Sequence, residues 1–149
     1  MSIKNTILNS LKQEVEAKIA TLKQTVSNLT EDAQNDAKGS AGDKHETALA
    51  MMHLEQEKLS KQINDQLELM AVLKKINPNQ VHTKIALGSY VETSEFCFFV
   101  SASFPQINAN GKTVISLSPI SPLGKHLIGL QAGECFVFNA KTHQINRVE

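Results

Sequence analysis

Apolar residues recur at Ile3, Ile7, Leu11, Val15, Ile19, Leu22, Val26 and Leu29, three or four apart, with mostly Lys, Gln, Glu, Asn and Thr between them. That spacing predicts one long amphipathic helix with a single apolar stripe. After residues 39–47, "GSAGDKHET", a second stripe runs through Leu49, Met52, Leu59, Ile63, Leu67, Met70 and Leu73, with polar Gln56 filling a gap. Each stripe is too narrow for its helix to be buried all round. Two such helices joined by a short glycine-containing turn bury their stripes against each other, which predicts an antiparallel coiled-coil hairpin over residues 1–76 with its tip at 38–46. At about 1.5 Å per residue, the tip would project on the order of 50 Å from the hairpin base.

The pattern changes at Asn77-Pro78, where proline lacks an amide hydrogen and disfavours helical geometry in the residue before it. Residues 1–76 hold no proline and only Gly39 and Gly42, whereas the rest of the chain holds every proline and the other glycines. The segments "VHTKIALGSYVET", "FCFFVSASF", "KTVISLS", "ECFVFNA" and "HQINRVE" are rich in β-branched and aromatic residues and separated by turn signals, which predicts about five strands. Asn110-Gly111 suits a hairpin turn, since both residues tolerate positive φ. In "SPLGKHLIGL" Ser121 can cap, Pro122 fits the first helical position and Gly129 can end a short helix. Residues 77–149 therefore form a small β domain with one short helix, and the whole chain is of the α+β class.

Charge narrows the functional classes. Lysine plus arginine and aspartate plus glutamate each total 15 in the 149 residues, so no overall field favours a nucleic-acid backbone. Arg147 is the only arginine, which weakens the case for direct phosphate or base readout. Cys97 and Cys135 lack the close spacing of a zinc site and read as reduced, buried thiols. The stretch "MSIKNTILNSLKQEVEAK" has no long apolar run, so a secretory signal or membrane span is not expected and a cytoplasmic location is.

With these two halves in place, the chain resembles the Gre-type transcript-cleavage factors of bacterial RNA polymerase, the GreA/GreB family. The most specific stretch is "ISLSPISPLGKHLIGLQAGECFVF", residues 115–138, which matches the family's pattern of an apolar strand, Ser-Pro, a short helix ending in Leu-Ile-Gly, and an acidic turn before the next strand. "GDKHE" at residues 42–46 matches the family's tip, Gly-Asp, two intervening residues, then Glu. The resemblance implies an antiparallel FKBP-like C-terminal domain, a monomer, and RNA polymerase as partner, with Ser121, Pro122, Leu123 and Gly124 touching the polymerase rim. It further implies that Asp43 and Glu46 enter the secondary channel and share a Mg²⁺ with the polymerase, whose own active site then hydrolyses backtracked RNA near its 3′ end. The chain would be an accessory factor and not itself an enzyme.

The chemistry and the simpler alternative both fit the tip. In two-metal phosphodiester hydrolysis carboxylates hold the ions that activate water and stabilise the leaving oxygen, and acids three apart on a helix share a face. Asp43 and Glu46 alone would hold Mg²⁺ only weakly, with no tightly bound cofactor. Equally, Asp43 with Glu46 three residues later is nearly a capping box, and acids in a first turn oppose the helix dipole favourably. Following Glu46 the family has Asn and then a further acid and an aromatic, whereas this chain has Thr47-Ala48-Leu49-Ala50. That departure leaves open a non-catalytic or inhibitory polymerase-binding regulator. "HETAL" lacks the second histidine of HExxH, so His45 reads as polar surface. Phe96, Phe98, Phe99, Phe136 and Phe138 read as domain core, and without tryptophan the domain is a poor candidate for prolyl isomerase activity.

Overall fold

The computed structural model describes residues 2–39 and 42–149, with the side chains at 33, 35–39 and 42–45 also left aside. Two long helices, α1 (Ile3–Gly39) and α2 (Gly42–Lys75), precede six strands and a short helix. The strands are β1 (Tyr90–Thr93), β2 (Cys97–Val100), β3 (Ile107–Ala109), β4 (Lys112–Leu117), β5 (Cys135–Phe138) and β6 (Lys141–Val148); α3 (Pro122–Leu127) lies between β4 and β5.

The chain divides into two compact units, one of Gln13–Met70 and one of Met1–Lys12 with Ala71–Glu149. In the first, Val15, Leu22, Leu59 and Met70 are buried, while Ile19, Val26, Leu29, Leu49, Met52 and Ile63 are half-buried. The Gln56 amide donates to Thr30 Oγ1 at 2.9 Å, a bond between the two helices, and Thr30 Oγ1 itself donates to the Val26 carbonyl at 3.0 Å. The polar gap in the second stripe is thus hydrogen-bonded, as a half-buried amide requires. One residue of that stripe is displaced: Leu67 is 48% exposed, and Gln66 is the half-buried neighbour. Alternating steps of three and four from Leu59 through Ile63 lead to residue 66 and then Met70, so helical phase overrides side-chain polarity.

In the second unit the hairpin base supplies Ile7, Leu8, Leu11, Leu73 and Ile76, all buried. Lys4 is buried with them, and its Nζ donates to the Gln80 carbonyl at 2.6 Å. The open sheet has the order β3-β4-β2-β1-β6-β5. All neighbours are antiparallel except β2 and β4, which pair in parallel with Phe98 opposite Ile115 and Val100 opposite Leu117. An all-antiparallel domain is therefore corrected to a mixed sheet. The chain reaches that parallel register because β3, a strand of only three residues after Pro105, forms a hairpin with β4 and reverses it. Asn110 and Gly111 make that turn with φ of 51° and 79°, as expected of Asn-Gly. Residues 81–89, expected to begin a strand, contribute only an isolated bridge between Lys84 and Gln131.

Side chains alternate across the sheet. One face carries Val91, Phe98, Val100, Leu117 and Ile145, which form a core with Ile85, Phe136 and Leu127 of α3. On the other, Tyr90 and Phe99 are opposite each other and fully buried, and the Ser116 hydroxyl donates to the Ala102 carbonyl at 2.7 Å while lying 2.8 Å from Ser101 Oγ.

Candidate functional site

The backbone of α2 is helical from Gly42, which puts Asp43 in its first turn, but the Asp43 side chain lies outside the described residues, as does that of His45. Glu46 is exposed, as is Thr47. Among the described residues no group of three or more His, Cys, Asp or Glu is arranged to hold a metal ion, and no helix is long and apolar enough to cross a membrane.

Ser121 to Gly124 form a built turn. Ser121 is the N-cap of α3: its Oγ accepts from the Gly124 amide at 3.1 Å and donates to the Ser118 carbonyl at 2.6 Å. Pro122 occupies the first helical turn, where its missing amide hydrogen leaves nothing unsatisfied. Gly124 is buried, and a Cβ there would overlap the Ser118 carbonyl oxygen and crowd Pro119. Past the helix, Gly129 turns the chain with φ 87°. The "SPLG" run therefore holds the β4–α3 connection closed, with Pro122 exposed and Leu123 half-buried.

Leu123 also lines a cavity of about 260 Å³ on the α3 face of the sheet, together with Phe96, Phe98, Ile115, Phe136, Phe138 and His143. Four of the five phenylalanines expected as core thus meet at a concave surface, and only Phe99 points to the opposite face. Strand alternation separates them: Phe136 and Phe138 of β5 are opposite His143 and Lys141 of β6. At the cavity mouth Lys141 forms an ion pair with Glu95, and this bond, with His143 nearby, holds the Glu95 carboxyl below its ordinary range.

His143 was not singled out by its sequence context. It is 6% exposed, stacked on Phe136 with ring centroids 5.2 Å apart and tilted against Phe96 at 5.8 Å. Its Nδ1 is buried without a hydrogen-bond partner, a situation that costs on the order of 1–3 kcal/mol. The available signal was the alternation His143, Ile145 in a strand whose other residues are polar except for its last, Val148. The cysteines are both free; Cys97 is half-buried, but Cys135 is exposed, correcting the expected buried thiol. Cys135 alternates outward from Phe136 on a strand at the sheet edge, so it faces away from the core.

No protein-family model matches the chain, and no curated protein matches its sequence significantly. Among solved structures it is similar to the GreA factor homolog 1 protein of Thermus thermophilus, with 14% identity, 93% of this chain and 94% of that chain covered, and a TM-score of 0.35. A similarity that low carries no functional argument, so function has to be read from this chain's own residues.

Proposed function

We propose that this chain is a non-catalytic regulator that binds RNA polymerase, with a helical hairpin presenting its tip to the secondary channel and the Ser121–Gly124 turn of an FKBP-like domain, residues 77–149, contacting the polymerase rim. The observation that carries this reading is the joint occurrence of two features. One is a hairpin of two long helices preceding a mixed sheet with a single short helix; the other is the "SPLGKHLIG" run, here folded into a capped and tightly closed turn. The absence of a carboxylate or aromatic side chain in Thr47-Ala48-Leu49-Ala50 favours regulation without RNA cleavage, because water and RNA placement around a shared Mg²⁺ needs polar groups beyond two acids.

Pull-down against RNA polymerase, followed by an RNA cleavage assay on stalled complexes, tests it. Binding with no Mg²⁺-dependent cleavage above that of polymerase alone is the expected result, unchanged in Asp43→Asn and Glu46→Gln. Failure to bind polymerase would overturn the proposal. Robust cleavage abolished by either substitution would replace it with a second reading, favoured by "GDKHE" itself: a cleavage-stimulating factor in which Asp43 and Glu46 share a Mg²⁺ with the polymerase. The variants' melting temperatures belong beside the assay, since losing a helix cap costs about 1 kcal/mol.

A further inference from the structure

Polymerase binding gives no role to His143. This ring lines the cavity on the α3 face with four phenylalanines, is more than nine-tenths buried, and keeps Nδ1 unpaired. An apolar core gains nothing from such a nitrogen, since a carbon ring of the same shape would pack there without the loss. A volume of about 260 Å³ falls just under the range of roughly 300–1,000 Å³ typical of sites for drug-sized ligands. The occupant is therefore no larger than one or two fused rings. Flat aromatic walls favour a flat partner through offset and edge-on contacts. The charged groups at the mouth, Lys141 and Glu95, are paired with each other, so they favour neither an anion nor a cation.

We infer that this cavity binds a small, neutral, planar aromatic compound carrying one N–H or O–H donor, and that the donor pairs with His143 Nδ1. With the imidazole proton on Nε2, Nδ1 is an acceptor. Phe136 and Phe96 flank the imidazole and Nδ1 is closed to solvent, so the pairing requires Phe96, the 41% exposed wall, to move aside as the ring enters. Buried Phe98 and Phe136 form the fixed floor. The cavity belongs wholly to the unit containing the sheet, and binding there does not depend on polymerase.

The chain has no tryptophan and one tyrosine, so the fluorescence of indole reports its own binding. Indole and 1-methylindole have the same fused rings, but the second has lost the N–H. Each is titrated into the full chain, and nuclear Overhauser contacts are recorded between the bound probe and phenylalanine ring protons. Saturable indole binding with contacts to Phe98 and Phe136 is expected, with 1-methylindole about tenfold weaker. His143→Phe, which keeps an aromatic ring in the wall, should bind the two probes equally. A wild-type chain that takes up neither probe, holds both equally, or contacts indole away from these rings overturns the inference. So does a folded His143→Phe that still prefers indole tenfold, because steric exclusion of the methyl group then explains the difference. Displacement of indole by a proline-containing tetrapeptide at lower concentration also overturns it, in favour of a peptide site. The wild-type comparison decides the matter even if the variant does not fold.

Discussion

A methyl group on Gly124 would meet the Ser118 carbonyl oxygen and the Pro119 backbone, and backbone cannot rotate away as a side chain can. Gly124→Ala is expected to destabilise the fold by about 1–3 kcal/mol, read as a lower urea midpoint with unchanged slope. Ala140 presents the opposite case. It follows Asn139 in the β5–β6 turn, with φ of 54° and 61°. An L-residue there is strained by roughly 1–2 kcal/mol, part of which glycine would return through its greater freedom when unfolded, so Ala140→Gly should stabilise by about 0.5–1 kcal/mol. Thermal melting distinguishes that gain from no effect.

His82 supplies a pH dependence. Burial and the neighbouring Lys4 ammonium, 3.5 Å from its Nδ1, hold its pKa below the ordinary 6.5, outweighing a hydrogen bond to the Glu149 backbone. Below pH 6.5 the unfolded chain therefore binds this proton more readily than the folded one, and stability is lost on acidification through that window while being fully present above it. The difference in unfolding free energy between wild type and His82→Gln should be flat above neutrality and fall as pH drops below 6.5.

At the scale of elements, the hairpin seam is governed by phase. Gln66 is half-buried and Leu67 exposed, although hydrophobicity alone selects Leu67. Gln66→Leu should raise hairpin stability by about 1 kcal/mol through added apolar burial, whereas Leu67→Gln should stay within about 0.5 kcal/mol of wild type, as surface changes do. Chemical denaturation of both variants checks the pair. Helices, hairpin turn and capped α3 were legible in sequence because stripe period, Asn-Gly and Ser-Pro act locally. The three-residue β3 was not, being too short to show a period, and its presence is what reverses β4 into parallel pairing with β2.

At the scale of the whole molecule, the change of composition at Asn77-Pro78 does not coincide with the compact units. Ile7, Leu8, Leu11, Leu73 and Ile76 are buried within the unit that contains the sheet. Each such side chain contributes about 1.5–3 kcal/mol, and together they match the entire stability of an ordinary domain, about 5–15 kcal/mol. A fragment of residues 77–149 is thus expected to remain largely unfolded by circular dichroism and proteolysis. An internal deletion of 13–70 closed by a short flexible linker should retain the sheet unit. A stable 77–149 fragment would show that the hairpin base is dispensable.

Sequence by itself determined what depends on neighbours along the chain: two amphipathic helices, their glycine-marked break, the strand-rich second half, and the turn residues of "SPLG". Tertiary structure alone decided what depends on residues far apart in the chain meeting in space. It placed Phe96 and Phe98 from β2 and its approach, Phe136 and Phe138 from β5, Leu123 from α3 and His143 from β6 around one cavity, and left His143 Nδ1 without a partner. Apolar pattern marks which residues avoid water, but not whether packing closes over them. Of the five phenylalanines, Phe99 is buried on one face, while on the other Phe98 and Phe136 belong both to the core and to the cavity, and the less buried Phe96 and Phe138 complete its walls.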